Sequence, residues 1–404
     1  MGLLFYITTL AATLGAITEA VPTDKRAAAG QFTVQQTALR SNRHEWPPKD
    51  LWKDLKKHHR PPSRAVVAAV SRIAALGNNK NNGTVKVTPS EYDTEFVNEI
   101  TIGNDTVLVD IDTGSADFWV FSSQLPEVSR RNHHVYHPEL TGTKLQKHTW
   151  ELKYGDGTGA AGNVFLDKVN LGGLEVSSQA VQAATWVSYE FADQQTTDGI
   201  MGLGFEKLNM VVPKQQKTWF GNIKQTLAKP LFTACLKHKA PGFYDFGFID
   251  QEKHVGKVTY LPVDSSKGWW ETSFNGFATG NIDNSTHRFT AIVDTGTTYM
   301  LLPKKITEQY YSTFPAATYD SKNGGWVFPC NTTLPDFAIH INDYKAIVPG
   351  DHIKYAPLPG TNTCFGALQP VDNPPAILGG TFLKSQFVVF DHDGRRMGFA
   401  AQKK

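Results

Sequence analysis

The tripeptide Asp-Thr-Gly occurs twice in this 404-residue chain, at residues 112–114 and 294–296. Each copy follows an apolar, strand-like run and continues in hydroxyl residues. A single copy would be an ordinary tight turn. Two copies with matching flanks, 182 residues apart, predict an internal repeat in which each half of the chain supplies one carboxylate to a shared site.

Asp112 and Asp294 are therefore the candidate catalytic residues. Two carboxylates held close together share one proton, so one can act as a base on water while the other acts as an acid. This chemistry needs a catalytic water and no cofactor. The hydroxyl residues that follow are expected to hydrogen-bond across the repeat and to donate to the carboxylates: Thr113, Ser115, Thr295 and Thr297.

The composition predicts a turn-rich, β-dominated protein. The chain contains 34 Gly and 22 Pro, and only 19% of its residues are charged. Its β-branched and aromatic runs are short and are separated by turn residues, which is typical of strands. Since single cores stop growing at about 250–300 residues, the length allows two domains.

The N-terminus resembles an export signal. Residues 2–17 form an uncharged apolar stretch, and Ala20 is a small residue at a plausible cleavage point. No second apolar segment of about 18 residues follows, so we expect a secreted protein without a membrane anchor. Four Asn-x-Ser/Thr sequences are candidate glycosylation sites: Asn82, Asn104, Asn284 and Asn331.

The chain has three cysteines, Cys235, Cys330 and Cys364. An oxidising compartment favours pairing two of them. Because Cys235 sits in an apolar run, we expect it to be a buried apolar residue and predict a Cys330–Cys364 disulfide. The sequence shows no spacing typical of metal ligands, so no metal site is expected.

Charge is distributed unevenly along the chain. Residues 21–83 carry 12 Lys or Arg and 4 Asp or Glu, whereas residues 84–404 carry 28 and 33. A basic arm that stays in the mature protein could bind nucleic acid or another anionic surface. Alternatively, the segment is an inhibitory prosegment that covers an acidic cleft until acid protonates the carboxylates. We favour the prosegment, and expect no nucleic-acid partner, because the chain is predicted to be exported.

The prosegment has a recognisable end. Residues 64–77 predict a helix that stops at a glycine, and residues 78–83 form a polar linker suited to cleavage. Arg72 and Lys80 are the candidates for the basic residue that faces the aspartates. The expected segments are a signal peptide (1–20), a propeptide (21–83, within several residues), an N-terminal lobe (84–262) and a C-terminal lobe (263–404).

In residues 150–162, apolar and charged side chains first alternate and a glycine-rich turn then follows, which predicts a β-hairpin. Its tip carries Tyr154 and Asp156, and a mobile tip could close over an extended substrate and exclude water. A plain surface hairpin is an equal alternative from these residues alone.

Five segments in this order, 112–122, 154–157, 198–204, 293–298 and 376–383, resemble the pepsin family of aspartic proteases. The similarity is to the secreted fungal group that includes penicillopepsin and aspergillopepsin, and it covers the chain from Glu91 onward. It implies an all-β, bilobal, pepsin-like fold with short helices, in which a cleft between two β-barrel-like lobes holds an extended peptide. It also implies an acid endopeptidase made as a zymogen, acting on protein or peptide substrates and inhibited by its own propeptide. A monomer is the default expectation.

The resemblance assigns further roles. Residues 200–202 and 377–379 match the segments that thread behind the catalytic loops, and the Trp119 indole nitrogen matches the hydrogen-bond partner of the flap Tyr154. Cys330 and Cys364 match the disulfide of the fungal enzymes. An acidic residue at Asp156 accompanies acceptance of Lys, so we expect cleavage after Lys as well as after bulky apolar residues. The predicted substrate-binding residues are Gly114, Tyr154, Gly155, Asp156, Gly296 and Thr298.

The chain departs from the family pattern at Phe118, at residues 158–159 and at residues 299–300, which affects pocket specificity and not the chemistry. A catalytically inactive relative that binds or inhibits other proteins is the alternative of a different class. Loss of a catalytic aspartate, an Asp-Thr-Gly glycine or Tyr154 would favour it, and all of these residues are present.

Overall fold

The computed structural model describes residues 31–35, 37–38, 47–58, 60, 62–77, 96–153, 159–193 and 196–403. The predicted signal peptide, the linker at 78–83 and the hairpin tip at 154–158 lie outside these residues. Strands predominate and most helices are short, as the sequence predicts. In the part of the chain that is described, no helix is long and apolar enough to cross a membrane.

The strands and helices are numbered in chain order. Strands β1–β14 are Phe32–Gln35, Thr37–Ala38, Phe96–Ile102, Asp105–Asp112, Phe118–Val120, Thr143–Lys153, Gly159–Leu171, Leu174–Val187, Gly199–Gly202, Leu231–Lys237, Ala240–Phe246, His254–Pro262, Glu271–Phe274 and Gly276–Thr279. Strands β15–β27 are Ile282–Asn284, Phe289–Val293, Met300–Pro303, Thr318–Asp320, Gly325–Pro329, Phe337–Ile341, Tyr344–Val348, Lys354–Pro357, Thr363–Gly366, Leu368–Val371, Ala376–Leu378, Gln386–Asp391 and Arg396–Gln402. Helices α1–α9 are Pro47–Lys57, Arg64–Gly77, Glu127–Arg130, Pro138–Thr141, Tyr189–Asp193, Trp219–Ile223, Lys304–Ser312, Gly350–Ile353 and Gly380–Leu383.

The N-terminal half is built on an eight-stranded sheet in the order β2-β3-β4-β9-β5-β8-β7-β6. An additional pairing of β3 with β7 closes six of these strands into a barrel. In β4, Val107, Val109 and Ile111 are fully buried, because alternate side chains of a strand point to the same face. Asp112 is the last residue of this strand, so its position is fixed by the packing of β4.

Most strands of the C-terminal half lie in three sheets. A five-stranded sheet has the order β13-β16-β25-β17-β24, and two four-stranded sheets have the orders β15-β14-β20-β21 and β18-β19-β23-β22. The predicted Cys330–Cys364 disulfide is present, with an S–S distance of 2.08 Å. Cys235 is a buried free thiol, as the sequence predicts.

The internal repeat is visible in strand topology. In the first half, β9 pairs in parallel with β4 and antiparallel with β5, and β5 pairs in parallel with β8. In the second half, β25 pairs in parallel with β16 and antiparallel with β17, and β17 pairs in parallel with β24. The two predicted threading segments, 200–202 and 377–379, therefore lie in equivalent places, each beside the strand that leads into an Asp-Thr-Gly loop.

A fifth sheet, with six strands, joins distant parts of the chain in the order β1-β11-β10-β26-β27-β12. Its edge strand β1 comes from the predicted propeptide and pairs with β11 over Phe32–Gln35. This strand was not predicted from the sequence, because its pairing partners lie more than 200 residues away.

Two helices of the predicted propeptide pack on the C-terminal half. Helix α2 spans Arg64–Gly77, which confirms the predicted helix and its end at Gly77. Helix α1 was not predicted. The side chains of Leu51 and Leu55 in α1 and Val66 in α2 are buried in one apolar cluster with Tyr299 and residues of the C-terminal sheets. The two helices therefore cover an apolar surface of the C-terminal half around Tyr299.

Candidate active site

The two Asp-Thr-Gly loops meet at the centre of the molecule. Asp112 ends β4 and Asp294 directly follows β16, and the two side chains are 2% and 0% exposed. The Lys57 Nζ atom lies 2.9 Å from Asp112 Oδ1 and 2.9 Å from Asp294 Oδ2. One ammonium group thus contacts both carboxylates, so the two aspartates of the repeat share a single site.

The two threonines of the repeat hold the loops together. The Thr113 amide donates to Thr295 Oγ1, and the Thr295 amide donates to Thr113 Oγ1, both at 3.0 Å. Each hydroxyl in turn donates to a backbone carbonyl of the opposite half, Val293 at 2.9 Å and Ile111 at 2.6 Å. These cross-loop bonds, expected from the sequence, fix the separation of two carboxylates that would otherwise repel each other.

Hydroxyl groups also contact the carboxylates. Ser115 Oγ donates to Asp112 Oδ2 at 2.5 Å, and Thr297 Oγ1 donates to Asp294 Oδ2. Both bonds join residues three positions apart on equivalent loops. A hydroxyl that donates to a carboxylate favours its charged form and fixes the orientation of the carboxyl plane.

Gly114 and Gly296 are required by the close approach of the loops. Their amides donate to the Oδ1 atoms of Asp112 and Asp294 at 2.8 and 3.0 Å. A Cβ atom on Gly114 would lie 2.5 Å from Asp294 Cγ, and one on Gly296 would lie 2.7 Å from Asp112 Oδ1. Any larger residue would therefore push the carboxylates apart.

Lys57, which is neither of the two candidates named from the sequence, contacts both aspartates. Lys80 lies outside the described residues, and Arg72 lies in α2, while Lys57 is the last residue of α1. The next residue, His58, is buried and places Nε2 2.7 Å from Asp294 Oδ2 and 3.1 Å from Thr297 Oγ1. The run of basic residues at 56–60 was the available sequence signal for this contact.

Acidic residues of α1 also bind the cleft, although sequence reasoning overlooked them. Asp54 Oδ2 accepts hydrogen bonds from the amides of Thr298 at 3.1 Å and Tyr299 at 3.0 Å. Thr298 is a predicted substrate contact, and its amide is thus occupied by Asp54 of the predicted propeptide. The Tyr355 hydroxyl donates to Asp50 Oδ2 at 3.0 Å.

Burial and charge shift the pKa values of the two aspartates in opposite directions. Burial raises the pKa of Asp112, and Lys57 offsets this only in part. Burial also acts to raise the pKa of Asp294, but the Lys57 charge and the His58 hydrogen bond outweigh it and hold that pKa well below its usual range. The Lys57 pKa is raised, because attraction to both carboxylates exceeds the lowering effect of burial.

Two neighbouring groups of the propeptide have pKa values shifted by burial. Burial lowers the pKa of His58, an effect that its hydrogen bond to Asp294 only partly offsets. Burial raises the pKa of Asp54 to about 7, against the lowering effect of its hydrogen bond from the Tyr299 amide. Both shifts exist only while α1 occupies the cleft.

Strands β6 and β7 pair antiparallel on either side of the tip of the hairpin predicted at 150–162, with Lys153 opposite Gly159. Its tip, which includes Tyr154, Gly155 and Asp156, lies outside the described residues, so their roles stay predictions. Trp119 is 2% exposed, and its Nε1 atom has no hydrogen-bond acceptor among the described residues. Of the glycosylation candidates, Asn104 and Asn331 are exposed and Asn284 is half-buried, while Asn82 is not described.

Comparisons with known proteins agree with this geometry. The family model described as eukaryotic aspartyl protease matches residues 95–402. A probable aspartic-type endopeptidase of Trichophyton verrucosum is 69% identical over 387 residues, covering 96% of both chains. Aspergillopepsin-1 of Aspergillus oryzae is 43% identical, covering 92% of this chain and 93% of its own length. Penicillopepsin-3 of Penicillium janthinellum is 42% identical, covering 96% and 97%. The chain belongs to the eukaryotic aspartyl protease family.

Proposed function

We propose that the protein is a secreted acid endopeptidase, made as a zymogen, that hydrolyses peptide bonds in extended polypeptides. The observation that supports this most strongly is the contact of one propeptide ammonium, Lys57 Nζ, with both Asp112 and Asp294. Two aspartates that bind one cation are close enough to share one proton and to hold a water molecule between them when that cation leaves.

The proposed mechanism uses the two carboxyl groups and a catalytic water. In the mature enzyme one carboxyl of the pair is protonated and the other is ionised. The ionised carboxylate takes a proton from water as its oxygen attacks the peptide carbonyl, while the protonated carboxyl donates its proton to the carbonyl oxygen. Collapse of the intermediate breaks the C–N bond, and a carboxyl proton passes to the leaving nitrogen. The hydroxyls of Ser115 and Thr297 orient the pair throughout.

Inhibition by the propeptide follows from the same contacts. Lys57 neutralises the aspartates, and Asp54 occupies the amides of Thr298 and Tyr299. The chain therefore fills positions that an extended substrate would need. Five further features remain predictions from the sequence: export by a signal peptide at 1–20, cleavage near residue 84, the lobe boundary at 262–263, glycosylation and a monomeric state.

Digestion of haemoglobin by the secreted protein tests this function. We expect cleavage at pH 3 that is blocked by a statine-type inhibitor and is absent at pH 7. N-terminal sequencing of the secreted material should show loss of residues up to about 84. If no acid-dependent, inhibitor-sensitive cleavage is found, the proposed activity is wrong. If activity is found in a protein that retains residues 21–83, the zymogen proposal alone is wrong.

The flap residue Asp156 is proposed to allow cleavage after Lys as well as after bulky apolar residues. Its carboxylate would pair with the ammonium of a substrate Lys, an interaction worth about 1.4 kcal/mol or more when it is partly desolvated. Asp156→Asn should therefore lower the kcat/KM ratio of a Lys peptide to a matched Phe peptide by about tenfold. The Phe peptide controls for general damage to the flap. An unchanged ratio would show that Asp156 does not select Lys.

A further inference from the structure

Arg60 of the predicted propeptide contacts two backbone carbonyls of the C-terminal half. Its Nη1 and Nη2 atoms donate to the carbonyl oxygens of Pro374 and Pro375 at 2.9 and 3.1 Å. These prolines directly precede β25, the strand that lies beside the second Asp-Thr-Gly loop. Two backbone carbonyls of the mature protein thus converge on one guanidinium.

A buried carboxylate, Glu271, interacts electrostatically with Arg60. Glu271 lies on β13, opposite Ile292 of β16 and two residues from Asp294 in register. Its side chain is 9% exposed, and in the described part of the chain its Oε2 atom accepts no hydrogen bond. Its charged neighbours are Lys267, whose Nζ lies 3.6 Å from Oε2, and Arg60, which the Glu271 charge stabilises against burial.

The spacing along the chain relates this site to the cleft. Arg60 is three residues beyond Lys57, which contacts the catalytic aspartates. Three residues of extended chain span roughly 10 Å. A side chain a few residues from the scissile bond of a substrate would therefore reach the carbonyls of Pro374 and Pro375.

We propose that the site now filled by Arg60 is a subsite of the mature enzyme that takes an arginine side chain of the substrate. This rests on the proposed release of the propeptide, which would leave the two carbonyls without their guanidinium donor, while Glu271 would keep Lys267 as a charged neighbour. Pro375 is buried and Pro374 is exposed, so release would leave one partly buried acceptor without its donor, which is unfavourable. A planar guanidinium has five donors and can satisfy both acceptors at once. Since backbone carbonyls do not titrate, they accept hydrogen bonds in acid as well.

Cleavage of quenched fluorescent peptides by the mature enzyme tests the subsite. In a peptide with one cleavable bond, arginine is placed in turn at each of the four positions on either side of that bond, and citrulline replaces it in the matched peptide. Citrulline has nearly the same shape without the charge. At one position we expect kcat/KM to be about tenfold higher for arginine than for citrulline. In Glu271→Gln this ratio should fall by about threefold or more, whereas Glu175→Gln, on a half-exposed surface carboxylate, should keep it.

The outcomes separate this proposal from the proposed function. The ratio is taken within each enzyme, so a general loss of activity cancels. If the citrulline peptides are cleaved but arginine is preferred nowhere, or if Glu271→Gln keeps the wild-type preference, the subsite does not exist although the endopeptidase does. If no peptide is cleaved, the proposed function itself fails.

Discussion

Replacing Asp294 with asparagine should lower kcat of the mature enzyme by about 10³-fold or more. The substitution keeps the shape of the side chain but removes the group that shares a proton with Asp112, and general acid–base catalysis contributes about 10²–10⁴-fold. An amide can neither take a proton from water nor return one to the leaving nitrogen. Asp294→Ala, which cannot revert by deamidation, should give the same loss.

The measurement must exclude effects on processing and folding. Each variant is converted to its mature length by a separate protease, its N-terminus is verified by mass spectrometry, and its Tm is compared with that of the wild type. Asp283→Asn is the matched control, because that carboxylate is 52% exposed and lies on the β15 hairpin. If a stable Asp294→Asn protein keeps activity within tenfold of the wild type, the chemistry does not depend on this pair.

The second large effect is expected for Lys57→Met in the full-length zymogen. Methionine fills a similar volume but leaves Asp112 and Asp294 without their cation. Removing one partner of a buried ion pair typically costs about 3–5 kcal/mol, although here the carboxylates can partly recover by sharing a proton. We expect statine-sensitive activity to appear at pH 7 about 10²-fold faster than in the wild type.

The pH dependence of wild-type activation follows from three pKa shifts. The pKa of Asp294 is lower with the predicted propeptide in place. Asp294 therefore stabilises the inhibited form above pH about 4, and this stabilisation is lost as pH falls through the lowered pKa. The pKa of His58 is also lower in place, which destabilises the inhibited form below pH about 6.5. Asp54 acts in the opposite sense: because its pKa is raised to about 7 in the inhibited form, its stabilisation of that form grows as pH falls from 7 to about 4 and is fully retained at lower pH. Release should therefore be completed only below about pH 4, where the Asp294 contribution is lost as pH falls while the stabilisation by Asp54 no longer increases.

Activation is followed at protein concentrations low enough to suppress cleavage of one zymogen by another. Lys56→Met is the matched control, because Lys56 is adjacent in α1 but its Nζ lies 5.9 Å from the centre of the Trp52 ring and not on the aspartates. Equal activation rates for Lys57→Met and the wild type at pH 7 would show that the ion pair does not hold the zymogen closed.

Features set by local pattern were predictable from sequence. The matching flanks of the two Asp-Thr-Gly copies predicted a repeat, and β9 and β25 occupy equivalent positions in it. Apolar periodicity and a terminal glycine predicted α2. The cysteine pair was found because Cys235 lies in an apolar run, where burial was the simpler expectation.

Contacts that depend on the path of the chain were not predictable in this way. Twelve basic residues precede residue 84, and nothing local distinguishes Lys57 from Arg72 or Lys80. Its role depends on how α1 packs: Leu51 and Leu55 enter the apolar cluster around Tyr299, and this places the end of the helix over the aspartates. Strand β1 likewise acquires its position only by pairing with β11.

The sequence by itself determined the two aspartates, their supporting hydroxyls and the β-rich repeat, because turn chemistry and side-chain alternation are properties of neighbouring residues. The tertiary structure decided which propeptide groups occupy the cleft: Lys57 and His58 on the aspartates, Asp54 on two amides and Arg60 on two carbonyls. These contacts join residues 55 to 315 positions apart. Their specificity arises from the relative placement of α1 and the C-terminal sheets, which depends on packing across the whole chain and has no signature in any short segment.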